Sequence, residues 1–154
     1  SNVADSLSLS VSELSDLIKD FENNKFLDII NFQLAKLYLN EYKLKEQKEF
    51  ELKSIGFFNK SLEQNSSDNY LASRNYLSLA EINFSNKNYF EAGLYYDSTL
   101  TKLDQKTKEA RTIKRRRESL NDLIFYEKAK QQSDSLVALI SMNDEQKFKF
   151  FENY

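Results

Sequence analysis

The chain has 154 residues and a formal charge of −2, with 40% hydrophobic and 14% aromatic residues, which excludes intrinsic disorder of the chain as a whole. It contains no cysteine and no histidine, so disulfides, thiol nucleophiles and catalysis by a histidine base are excluded. It also has no proline and only two glycines, Gly56 and Gly93, although hairpins and tight turns usually need these residues. The composition therefore predicts an all-α protein.

The first ten residues are rich in serine, and we interpret residues 1–10 as a tag remnant and a flexible lead. The only methionine is Met142, so we expect the chain to be a segment of a longer protein. Ser10 and Glu13 then have the spacing of a capping box, which predicts a first helix over about 11–22.

Apolar residues at helical spacing predict the following helices. They cover about 25–40, 43–64, 70–85, 89–103 and 106–131, with a short helix after Ser133. An eighth helix is predicted to begin at Asn143, and its aromatic residues are Phe148, Phe150, Phe151 and Tyr154. Because this helix ends with the chain, we expect its aromatic side chains to pack on a neighbouring chain or to remain mobile.

One stretch, residues 73–104, has the pattern of a helical repeat. The signature positions of a tetratricopeptide repeat are occupied there by Tyr76, Leu79, Ala80, Tyr89, Ala92, Tyr96 and Leu100. Two positions depart from the pattern, since Thr99 replaces a small residue and Asp104 replaces a proline. Small residues allow two helices to approach closely, so Ala80 and Ala92 are predicted to be buried at a helix–helix contact.

A second, stretched copy of the pattern lies upstream, over residues 25–64. Its signature residues are Leu34, Ala35, Tyr38, Phe58, Ser61 and Leu62. The offset from Ala35 to Ala80 is 45 residues, against a usual repeat of about 34. The predicted organisation is an α-solenoid of helical repeats over 11–104, followed by a long helix and truncated C-terminal helices over 105–154.

Four ordered blocks give a closer resemblance: Ala92–Thr101, Ile113–Arg117, Leu120–Ile124 and Ser133–Leu136. In these blocks the chain is similar to the tetratricopeptide lipoproteins of Bacteroidetes gliding motility and type IX secretion, of the SprE/PorW type. The resemblance is best over about 70–154 and looser over 25–65. It implies a periplasmic protein anchored in the outer membrane, whose signal and lipidated cysteine lie outside these residues, and whose partners are other proteins of a membrane-associated secretion and motility complex.

The sharpest local feature is a basic segment over residues 102–117. It contains eight basic residues and two acidic ones, so it carries +6 while the rest of the chain carries −8. Its last four basic residues are consecutive: Lys114, Arg115, Arg116 and Arg117. They point around the helix axis, so we weigh a solvated helix, a docking patch for an acidic protein and a nucleic-acid or membrane surface. We expect at least one of the arginines to pair with Glu118 or Asp122.

In a tetratricopeptide array the first helix of each pair lines a concave groove. The repeat register places Arg74, Leu77, Glu81 and Phe84 there in the clear repeat, and Ile29, Phe32, Lys36 and Leu39 in the stretched one. Together with Lys114–Arg117, the first four are the candidate protein-binding residues.

The predicted function is therefore a non-enzymatic scaffold for protein–protein interaction. We expect no catalytic residue, metal or cofactor, since no glycine-rich phosphate loop and no defined pair of catalytic carboxylates is recognisable. No stretch of 18 apolar residues exists, so we expect no membrane span. The alternative is a nucleic-acid-binding helical module that uses the basic segment.

Overall fold

The computed structural model describes residues 2–64 and 67–143, without the side chains of residues 2–8 and 21. Within these ranges the chain forms helices joined by short turns and contains no strand. A 3-10 helix, Phe21–Phe26, and seven α-helices are present: α1 Asn2–Lys19, α2 Leu27–Lys45, α3 Lys48–Glu63, α4 Asn69–Ser85, α5 Tyr89–Lys102, α6 Lys108–Glu118 and α7 Asn121–Ser141. The predicted all-α class is confirmed.

Helix α1 begins earlier than the sequence predicted. The segment 1–10, interpreted as a flexible lead, is helical from its second residue, and Ser10 lies inside the helix instead of capping it. Serine disfavours a helix by only about 0.5 kcal/mol relative to alanine, so a serine-rich composition does not prevent one. The 3-10 helix that follows is capped by Asp20, whose Oδ1 accepts from the backbone N–H of Glu22 at 3.1 Å.

Helices α2 and α3 form an antiparallel hairpin. Ser54 Oγ donates to the carbonyl of Ala35 at 2.9 Å, and Ser61 Oγ donates to the carbonyl of Asp28 at 2.7 Å. Because serine is small and its hydroxyl pairs with a carbonyl, the two backbones lie close together at both positions. The hairpin turns at Glu46, whose φ of 55° lies in the left-handed region and ends α2.

The surplus residues of the stretched repeat extend α2 and delay the start of α3. α2 continues for five residues past its predicted end at 40, and α3 begins at Lys48 instead of 43. The extra turn of α2 carries Tyr42 and Lys43 into the same depression as Ser85 near the end of α4. The length difference between the two repeats therefore shapes the surface between α2 and α4.

Helices α4 and α5 form the second hairpin, built around two alanines. Ala80 and Ala92 are fully buried, and they pack in one core cluster with Tyr96, Ile113 and Leu120. The prediction that both alanines are buried in this contact is confirmed. Ile113 and Leu120 come from α6 and the turn that follows it, so this cluster also holds the C-terminal part of the chain against the hairpin.

A second core cluster joins the two hairpins. It consists of Ala35, Phe58, Leu79 and Ile82, contributed by α2, α3 and α4. A buried polar contact accompanies it, since Asn75 Nδ2 donates to Ser61 Oγ at 2.9 Å. Apolar burial and a buried hydrogen bond thus act together between α3 and α4.

The long helix predicted over 106–131 is wrong, because the structure divides it into α6 and α7. The break lies at Ser119 and Leu120, and α7 then continues through Ser133, where the sequence predicted the start of another helix. Leu120 is 1% exposed in the core, and Ser119 Oγ donates to the carbonyl of Arg116 at 2.7 Å. The turn therefore buries Leu120. In a continuous helix the Arg116 carbonyl would accept from a backbone N–H, and here the Ser119 hydroxyl donates to it instead.

Helix α6 runs in the same direction as α4. Arg74 Nη1 donates to Glu109 Oε1 at 2.8 Å, and Arg116 Nη1 donates to Glu81 Oε1 at 3.1 Å. Both pairs join residues that are 35 positions apart in sequence. A constant offset between two helices means that they are parallel.

The first part of α7 packs on α5. Glu127 Oε2 accepts from the backbone N–H of Phe90 at 2.7 Å. A Cβ added at Gly93 would lie 3.1 Å from Ile124 Cδ1, so this glycine allows the two helices to come close. The side chains of residues 128–138 are exposed, and this half of α7 therefore extends away from the hairpin.

The eighth predicted helix lies outside the described residues. Asn143 is the last residue described, and the four aromatic residues of the predicted helix follow it in the sequence. Their expected packing stays a prediction.

Candidate functional site

A candidate site in the described part of the chain is a groove of about 610 Å3 between α2, α4 and α6. Residues that line it include Leu39, Tyr42, Lys43, Glu81, Phe84 and Arg116. We call it the α2–α4–α6 groove. Its surface combines apolar side chains with hydroxyl, cationic and carboxylate groups.

One wall of the groove is organised around Arg116. Its guanidinium donates to Glu81 Oε1 at 3.1 Å and is also hydrogen-bonded to the hydroxyl of Tyr96. Tyr96 is 1% exposed, and burial raises the pKa of its phenol, although the neighbouring guanidinium acts in the opposite direction. Glu81 and Tyr96 therefore position the half-exposed Arg116 side chain at the groove surface.

The opposite wall contains a buried carboxylate, Glu51. Lys48 Nζ donates to Glu51 Oε1 at 2.7 Å, Asn86 Nδ2 donates to the same oxygen at 2.6 Å, and the Tyr42 hydroxyl is a third partner. Burial alone would raise the pKa of Glu51, but these hydrogen bonds and the Lys48 charge outweigh it and hold the pKa below its ordinary value. The ionised carboxylate joins α2, α3 and the turn after α4.

The four groove residues predicted in the clear repeat lie along one face of α4. Glu81 and Phe84 line the α2–α4–α6 groove. Leu77 and Glu81 line a second depression of about 500 Å3 between α4 and α6. Arg74 is held by its ion pair with Glu109, which lines that second depression. Arg74, Leu77 and Glu81 thus lie beside α6, and the sequence analysis did not predict that α6 packs there.

Of the four groove residues predicted in the stretched repeat, one lines the α2–α4–α6 groove and three do not. Leu39 lines the α2–α4–α6 groove. Phe32 instead packs on Phe58, with ring centroids 5.9 Å apart, beside the second core cluster. Ile29 is exposed and Lys36 is half-buried, and neither lines the groove. The extra turn of α2 extends the groove wall toward the C-terminal end of this helix, beyond the predicted positions.

The basic segment is paired differently from the prediction. Arg116 pairs with Glu81, and both Asp97 carboxylate oxygens accept from Arg117 Nε at 3.0 Å, so the expected pairing with Glu118 or Asp122 is wrong for these two arginines. Their partners lie on α4 and α5, because α6 packs against both helices. Lys114 and Arg115 are exposed on α6.

Several groove residues were not indicated by the repeat pattern. They are Tyr42, Lys43 and Glu51. The ion pairs between α4 and α6 did leave a signal, since Arg74 and Glu109 have opposite charges at the same spacing of 35 as Glu81 and Arg116. This spacing is close to one tetratricopeptide repeat and would have placed α6 beside α4.

No family model matches the chain, and no curated protein matches it either. In the described part of the chain, no cluster of acidic side chains has the arrangement needed to bind a metal ion. None of the described helices combines the length and the apolar character that a bilayer crossing requires.

Proposed function

We propose that this chain is a non-enzymatic interaction module with a tetratricopeptide-like solenoid arrangement, and that the α2–α4–α6 groove binds a segment of another protein. The observation that supports the proposal most directly is the groove itself. One continuous surface is formed there by alternate helices of the chain, α2, α4 and α6. In helical repeat proteins such successive helices form the extended concave binding surface.

The packing between hairpins supports the repeat arrangement. α4 and α6 are parallel and offset by 35 residues, close to the period of about 34 in a tetratricopeptide repeat. The small residues Ala80 and Ala92 lie at the hairpin contact, as this repeat requires. The stretched repeat keeps the same contact between α2 and α3 with serines, through Ser54 and Ser61.

For the biological setting, we propose the one that the sequence resemblance implies. The chain would belong to a periplasmic, outer-membrane-anchored lipoprotein of type IX secretion and gliding motility. Its partners would be other proteins of that membrane-associated complex, and it would need neither a cofactor nor catalytic residues.

The proposal predicts that binding depends on Phe84 and Lys43. Phe84 is a 42% exposed aromatic residue in the groove, and Lys43 provides a cation on its other side. We expect Phe84→Ser or Lys43→Glu to weaken capture of partner proteins from an envelope extract of a gliding bacterium by about tenfold or more, because aromatic residues in grooves dominate binding energy. Quantitative mass spectrometry of the captured proteins measures this.

A matched control is Leu52→Ser. Leu52 is 62% exposed on α3 and lies outside the groove, so this change should leave capture unaltered. Circular dichroism must show that all three variants keep their helical content. If the groove variants still capture every partner of the unmodified chain, the groove is not the binding surface.

The alternative, nucleic-acid binding by residues 102–117, makes a different prediction. Arg116 and Arg117 are already engaged by carboxylates, so fewer cations remain available for phosphates. Charge-driven binding with several phosphate contacts loses roughly 10³-fold or more in affinity between 50 and 200 mM salt. We expect no mobility shift of single- or double-stranded DNA at physiological salt. A shift that salt abolishes and that Lys114→Glu/Arg115→Glu removes would favour the alternative.

A further inference from the structure

Helix α7 has an apolar face that is directed away from α5. Six apolar side chains on this helix are between 37% and 74% exposed: Leu123, Phe125, Tyr126, Leu136, Val137 and Ile140. Since each residue advances the helix by about 100°, the contact residue Ile124 lies on the other side of α7 from Tyr126 and Ile140. We call these six residues the α7 face.

The α7 face has the spacing of a helix–helix seam. Tyr126, Ala129, Ser133, Leu136 and Ile140 follow one another at intervals of three, four, three and four residues. This is the alternation by which a helix presents one stripe to a second helix. The occupant that fits the stripe is therefore another helix.

Part of α7 is symmetric about Gln131, whereas Ile140 mirrors the charged residue Asp122. Phe125 mirrors Val137 and Tyr126 mirrors Leu136 at equal distances on either side. The two small residues of the seam, Ala129 and Ser133, also mirror each other, and so do Lys128 and Asp134. In an antiparallel pair centred at Gln131, each of these residues lies at the level of its mirror residue in the other copy, and the interface is two-fold symmetric.

We propose that two copies of this chain associate through α7 as an antiparallel helix pair centred near Gln131. In such a pair the C-terminal half of each α7 covers the exposed apolar residues in the N-terminal half of the other α7. The small residues Ala129 and Ser133 then face each other at the centre, where the helices approach most closely. The interface is separate from the α2–α4–α6 groove and does not depend on its function.

The area of the α7 face is sufficient for such a pair. Exposed large apolar side chains present roughly 100 Å2 each, so six of them supply about 600 Å2 per copy and about 1,200 Å2 per pair, the lower limit for a stable interface. The expected association is therefore reversible. Lys130 of each copy lies beside the two-fold axis, where the two positive charges repel each other.

Sedimentation equilibrium of the full chain tests the proposal. We expect a monomer–dimer equilibrium for the unmodified chain. Leu136→Glu should raise the dissociation constant of the dimer about tenfold or more. Leu52→Glu, which alters an exposed leucine on α3, should leave the dissociation constant unchanged. Lys130→Gln should strengthen the dimer, which a loss of folding could not do. A monomer at all concentrations overturns the proposal. A monomer that Leu136→Glu also destabilises would mean that residues of the same chain cover the α7 face.

Cysteine cross-linking tests the antiparallel register. The chain has no natural cysteine, so single substitutions are unambiguous. We expect an equal mixture of Ala129→Cys and Ser133→Cys chains to form the mixed disulfide dimer faster than either variant alone forms its own, because these positions face each other only in the antiparallel pair. Faster cross-linking of Ala129→Cys with itself would indicate a parallel pair and overturn the proposal.

Discussion

Replacing Glu51 with alanine is expected to lower the free energy of unfolding by about 2–4 kcal/mol. The carboxylate is 2% exposed and accepts from Lys48 and Asn86, with the Tyr42 hydroxyl as a third partner. Alanine removes these charge-assisted hydrogen bonds and leaves the Asn86 amide without its acceptor. Urea unfolding followed by circular dichroism at 222 nm measures the loss.

The contribution of Glu51 should depend on pH in a defined direction. Because the folded-state pKa of Glu51 lies below its ordinary value of 4.5, the stabilisation is complete above that value and is lost as the pH falls through the folded-state pKa. Glu51→Gln lacks this contribution at every pH. The stability difference between the unmodified chain and Glu51→Gln should therefore be largest at neutral pH and should shrink on acidification.

The matched control is Glu49→Gln, in the same turn of α3. Glu49 pairs with Lys53 at 2.6 Å, but its side chain is 70% exposed. An exposed ion pair of this kind adds little to stability, so we expect no measurable change in Tm. If Glu49→Gln destabilises the chain as much as Glu51→Gln does, then burial of the Glu51 network is not the source of its effect.

The sequence predicted the central helices well because their apolar spacing is regular. α4 and α5 begin and end within one residue of their predicted limits, and Ala80 and Ala92 are buried as expected. At these positions local propensity, apolar period and tertiary contact all favour the same structure. Both alanines occupy small-residue positions of the repeat pattern, and both are buried.

The ends of the chain were predicted less well, for two different reasons. The break between α6 and α7 has no proline or glycine, and the apolar residues Leu120 and Ile124 continue the helical spacing across it. Only the core cluster around Tyr96 accounts for the turn, since it buries Leu120. At the other end, the serine-rich composition of residues 1–10 suggested a lead, but the helical cost of serine is too small to decide the matter.

The groove was predicted in part. Leu39, Glu81 and Phe84, which the repeat register assigns to a groove, line the α2–α4–α6 groove. The register also placed Phe32 in the groove although this ring packs on Phe58. The register applies only in part to α2, because the extra turn adds Tyr42 and Lys43 to the wall of the groove, and no sequence pattern states where an insertion is accommodated.

Replacing Ala92 with leucine is expected to lower the free energy of unfolding by about 1–3 kcal/mol. Ala92 is fully buried at the contact of α4 and α5, with Ala80 and Tyr96 among its core neighbours. The three added carbon atoms have no space there, so the helices must separate or Tyr96 must leave its position. Thermal unfolding followed by circular dichroism measures the effect.

Two further substitutions separate overpacking from other effects. Thr101→Leu adds a leucine to an exposed position of the same helix and should leave Tm nearly unchanged. Ala92→Gly should also destabilise the chain, by about 1 kcal/mol, because glycine loses more backbone entropy in a helix. A loss of stability with leucine at position 92 that exceeds the loss with leucine at position 101 is the signature of a closely fitted contact. A Tm that Ala92→Leu leaves unchanged or raises would show that α4 and α5 do not approach each other at this alanine.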